Sequence, residues 1–99
     1  MRILITSARI AAVIGVLTVV TACAGAPKDS KLAQQCESGL KVAYQELDFA
    51  EAKGFGGTID WTKAAGLLSA ASIQNEFGKY PNCVDKVRRA RDYIEQSQI

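Results

Sequence analysis

The chain contains no histidine, and only three of its 99 residues are cysteine. Without histidine there is no Ser–His–Asp triad, no imidazole general base and no imidazole metal ligand. Three cysteines fall one short of an all-cysteine zinc site, and no C-x-x-C spacing marks a dithiol redox centre. An excess of one charge sign is missing too: 12 Lys and Arg stand against 10 Asp and Glu. That surplus is too small to argue for nucleic acid, and no nucleic-acid partner is expected. The length allows one small domain. The odd cysteine count is what needs explaining.

A long hydrophobic run is also lacking. Arg2 and Arg9 are the only charges in residues 1–22, and the stretch from Ile10 to Ala22 is 13 residues without one. A membrane-spanning helix wants about 20. A basic start, a short apolar core and small residues at the end describe a secretory signal peptide over residues 1–22. A retained anchor and a buried helix are the other readings of such a segment.

The residues that follow sharpen this. Val20-Thr21-Ala22-Cys23 resembles the lipobox of bacterial lipoproteins: an aliphatic residue, two small residues, then cysteine. The resemblance implies that Cys23 becomes the mature N-terminus, carries a diacylated thiol and usually an acylated amine (palmitate among the chains), and makes membrane lipid a partner. Each buried methylene contributes about 0.8 kcal/mol, so one chain holds weakly and two or three hold almost permanently. Ala24 follows the cysteine, not Asp. In a Gram-negative host the family's sorting pattern then implies the outer membrane, facing the periplasm. Residues 23–30 read as the lipidated cysteine and a short, turn-prone tether.

Losing the signal changes the arithmetic. Both arginines leave with it, and residues 23–99 balance at ten basic and ten acidic side chains. A domain of this size buries about 60% of its unfolded surface and often needs a staple.

Strand signals are nearly absent. Residues 30–53 place Cys36, Leu40, Ala43, Leu47 and Ala50 on one helical face, capped by Ser30 and widened by Leu32 and Tyr44. Gly39 inside that helix marks close packing, and Gly54-Phe55-Gly56-Gly57-Thr58 breaks it. Asp60, in preference to Thr58, caps a second helix over about residues 61–77. That helix is apolar around much of its circumference, as expected of one contacted from more than one side. Pro81 opens a third helix, to about Gln96, with Cys83, Val84, Val87, Ala90 and Ile94 inward and Tyr93 at the edge.

The expected fold for residues 31–99 is therefore all-α, a small three-helix up-down-up bundle. Helices one and three then run the same way, with Cys36 and Cys83 near the same end. A disulfide between them is natural, and an envelope location permits it. Separately, Gly78-Lys79-Tyr80 followed by Cys83, Val87 and Ala90 is similar to the turn and second helix of a tetratricopeptide repeat. The likeness covers about one repeat, whereas an array needs about three, so it implies a way of packing an α-hairpin and no peptide-binding solenoid. The chain as a whole resembles the small helical lipoproteins of bacterial envelopes.

Function follows from this layout as an expectation: a lipid-anchored envelope protein with a structural or accessory role through contact with another envelope protein. Phe55, Ile59 and Trp61 are the candidate contact residues; the alternative for Phe55 and Trp61 is closing the bundle's end. Lys86, Arg88, Arg89 and Arg91 offer a second possibility, an anionic-lipid or polyanion-binding module. A small envelope enzyme is the remote one. Glu46, Asp48, Glu51 and Asp60 fall on solvated positions or caps, and Ser38, Ser69 and Ser72 have no evident base. No catalytic residue, metal site or cofactor is expected.

Overall fold

The computed structural model describes residues 30–99. Three helices make up most of it: α1 (Lys31–Ala50), α2 (Ile59–Glu76) and α3 (Tyr80–Ser97), with a π-helical turn at Glu51–Phe55. The three-helix bundle and its Cys36–Cys83 disulfide are as the sequence predicts.

Ser30 starts α1 by accepting the Ala33 N–H on Oγ at 3.1 Å. The helix then buries Ala33, Cys36, Leu40, Ala43, Leu47 and Ala50, a 3-4-3-4-3 stripe. Helix α3 repeats the spacing with Tyr80, Cys83, Val87, Ala90, Ile94 and Ser97. Helix α2 lies against both stripes and buries Ala64, Leu68 and Ala71. All 14 buried apolar residues among those described belong to these helices. The bundle thus carries its own core, caps and crosslink.

Direction is fixed by cross-links between helices. Tyr44 Oη lies 3.3 Å from Ser72 Oγ, and Trp61 Nε1 donates to the Leu47 carbonyl at 3.1 Å. Ascending α1 therefore descends α2. Cys36–Cys83 and, further along, Glu46–Arg91 tie α1 to α3 in the same direction. Up-down-up is the only path these pairs allow.

Local details depart from the sequence reading in instructive ways. The cap of α2 is Thr58, not Asp60. Thr58 has extended backbone (φ −65°, ψ 160°), and its Oγ1 accepts the Trp61 N–H at 3.2 Å. Thr58 also donates its hydroxyl and its N–H to the Phe55 carbonyl, so one residue ends the turn and begins the helix. Asp60 sits in the first turn, where its charge complements the helix dipole. Thr58→Ala is expected to cost about 1 kcal/mol and Asp60→Asn only about 0.3–0.5 kcal/mol in urea unfolding. Equal losses would contradict the assignment of the cap. Pro81 stands second in α3, after Tyr80; its missing N–H is one of the first-turn donors that no helix satisfies. Leu32 and Tyr44, expected to widen the core stripe, are 43% and 37% exposed. They lie on opposite flanks of α1, and neither α2 nor α3 covers them fully.

Two mid-helix glycines contrast. A glycine there costs about 1 kcal/mol relative to alanine. At Gly39 a Cβ would meet Val87 Cγ1 at 3.0 Å, so the missing side chain lets α1 and α3 approach. At Gly66 a Cβ would meet nothing within 4 Å. Inside the monomer that cost has no return.

Candidate functional site

The segment from Gly54 to Trp61 forms the end of the bundle where α1 finishes and α2 begins. Gly54 and Gly57 hold φ of +99° and +83°, a region that favours glycine because a Cβ would crowd the backbone. Gly54 ends the π-helical turn, and Gly57 aims the chain into Thr58 and the α2 cap.

The three residues singled out for contact divide here. Trp61 is half-buried, packs on the core and donates its indole N–H to Leu47 O. That carbonyl belongs to the last turn of α1 and already accepts the Glu51 N–H. A carbonyl has two lone pairs, and the tryptophan uses the second to close the bundle's end. Phe55 is likewise half-buried against the core. Ile59 is 76% exposed. Of the three, Ile59 alone projects its side chain outward. Cys23 and the segments at 1–22 and 23–29 lie outside the described residues.

The basic run on α3 is largely paired. Arg88 Nη2 reaches Asp85 at 2.5 Å, Arg89 is 3.8 Å from the same carboxylate, and Arg91 meets Glu46 across the helix interface at 2.6 and 3.2 Å. The hydrogen bonds to Glu46, and its charge, push the Arg91 guanidinium still further above its usual pKa. Exposed pairs of this kind add about 0–1 kcal/mol each to stability. Their larger effect is to shrink the positive patch that a polyanion would need.

The other polar candidates point back into their own helices. Ser38 donates to Gln34 O, and Ser72 donates to Leu68 O. Asp48 and Glu51 are exposed, and Glu46 is committed to Arg91. Among the described residues, no three Cys, Asp or Glu side chains gather as a metal site, and no helix is long and apolar enough to cross a membrane.

A groove between α1 and α3, opposite α2, escaped the sequence reading. Its floor is Gly39 and Val87, its walls include Val42 and Phe49, and the Glu46–Arg91 pair bridges it. Phe49 is 60% exposed, with Lys53 Nζ 4.9 Å from the ring centroid. Gly39, Val42, Glu46 and Phe49 recur at helical spacing beside the core stripe, a signal that was visible but diluted by its polar members. Comparisons with protein-family models, with curated proteins and with solved structures give no match.

Proposed function

We propose that this is a lipid-anchored protein of the bacterial cell envelope, held through acylated Cys23, with a structural or accessory role exercised through protein contact. One observation carries the reading. The disulfide consumes Cys36 and Cys83, and the remaining cysteine stands directly behind an apolar segment and Val-Thr-Ala. Structural pairing and lipid attachment together account for all three thiols.

The bundle's layout supports a contact role. Residues 24–30 span at most about 25 Å when fully extended, so the Ser30 end of α1 stays near the bilayer. Ile59 lies at the opposite end, a helix of 20 residues or about 30 Å away. The membrane-distal end therefore presents Ile59 on a base stiffened by Trp61 and Phe55. Detergent-phase partitioning of bacterial envelopes tests the anchor. The wild-type chain enters the detergent phase and Cys23→Ser stays aqueous; partitioning of both into the same phase contradicts the proposal.

A further inference from the structure

The outer face of α2 has no cover. Ile59, Lys63, Gly66, Ala70, Ile73 and Phe77 follow one another at 4-3-4-3-4 spacing, a continuous stripe on the side away from α1 and α3. Ile59, Ile73 and Phe77 are 76%, 53% and 68% exposed. The stripe's one charge is drawn aside: Lys63 Nζ stands 5.3 Å from the centroid of the Tyr93 ring on α3. At its middle, Gly66 opens to empty space.

We propose that this face is covered by the same face of a second copy, the two α2 helices crossing at Gly66 and Ala70 about a two-fold axis. The order of sizes argues for it. Ile59 and Phe77 lie nine residues to either side of Leu68, and the small pair Gly66 and Ala70 sits between them. Two helices packed by their i, i+4 ridges cross at roughly 50° and diverge from the crossing point. Small residues where the axes touch and bulky ones where they part fit that shape, and the face is self-complementary, as a two-fold contact requires. A glycine at position 66 then has a use the monomer does not show.

A bilayer surface fits less well. Interfacial helices flank their apolar strip with Lys and Arg. This strip is flanked by Asp60 and Glu76, and its lysine leans toward Tyr93. The area sets the strength. Helix α2 is 18 residues, about 27 Å long and 10 Å across, well short of the roughly 800 Å² per partner of a permanent dimer. The pair is therefore weak and concentration-dependent. The argument does not depend on the lipid anchor.

Sedimentation equilibrium tests it on the oxidised chain from residue 23 onward carrying Cys23→Ser, with folding confirmed by circular dichroism. As concentration rises from micromolar to millimolar, the weight-average mass of the parent climbs toward twice the monomer. Gly66→Glu stays monomeric throughout. It melts no lower than the parent, because Gly66 is exposed mid-helix and glutamate is the better helix former. Val42→Glu, in the α1–α3 groove, associates like the parent. A parent that stays monomeric at millimolar concentration overturns the proposal, and so does a Gly66→Glu variant that associates equally. Binding of a monomeric parent to anionic phospholipid vesicles, lost in Gly66→Glu, overturns it in favour of a membrane surface.

Discussion

Replacing both bridging cysteines, Cys36→Ala with Cys83→Ala, is expected to lower stability by about 4 kcal/mol. The bridge closes a loop across 47 residues, and the entropy removed from the unfolded chain at that separation is of this order. A domain of some 70 residues has a total stability of only about 4–10 kcal/mol. The loss therefore takes between nearly half and all of it. Where the variant still folds, its Tm falls by about 15 °C or more, since each kcal/mol moves a domain this small by about 4–8 °C. Alanine is the right replacement because both half-cystines are fully buried, and serine would add unsatisfied hydroxyls. Thermal unfolding followed at 222 nm decides the matter. A shift of a few degrees would show that packing alone holds α1 and α3 in place.

Leu68→Ala should cost nearly as much, about 3–5 kcal/mol with the disulfide intact. Leu68 is 0% exposed and sits on the helix that both others pack against. Large-to-small changes in cores cost about 2–5 kcal/mol, and more where the surroundings cannot collapse into the space. Here they cannot easily do so: six of the 14 buried apolar residues are alanine, with no side chain to swing inward. Leu68→Met keeps the volume and should cost less than about 1.5 kcal/mol. Urea unfolding of both variants at unchanged m-value separates a cavity from a general loss of structure. Similar costs for the two would mean that the site is not tightly packed.

Much of this fold was legible because α1 and α3 are amphipathic. Cys36, Leu40, Ala43 and Leu47 on one, and Cys83, Val87, Ala90 and Ile94 on the other, are spaced so that only one face can be inward. Once both stripes were placed, parallel α1 and α3 put the two cysteines side by side. Helix α2 was harder to read, since an apolar circumference does not say which sides are covered. Ile73 and Phe77 looked like core contacts and are exposed. The α2 cap was misjudged because Thr58 and Asp60 are both good capping residues, and the choice rests on backbone geometry: only Thr58 is extended where the helix begins. At the candidate contact segment the sequence named the right end of the bundle but could not divide its residues. An indole bonded to Leu47 O and an isoleucine facing solvent are the same class of letter until α1 and α2 are packed together.

The lipid anchor is the claim on which the functional account rests, and metabolic labelling with a radioactive fatty acid tests it most directly. Wild-type chain and Cys23→Ser are expressed in a bacterium with an intact lipoprotein pathway, and the label in each immunoprecipitated chain is compared. The account predicts label in the wild type, a smaller mass consistent with loss of residues 1–22, and no label in Cys23→Ser. Equal label in both, or none in either, contradicts it.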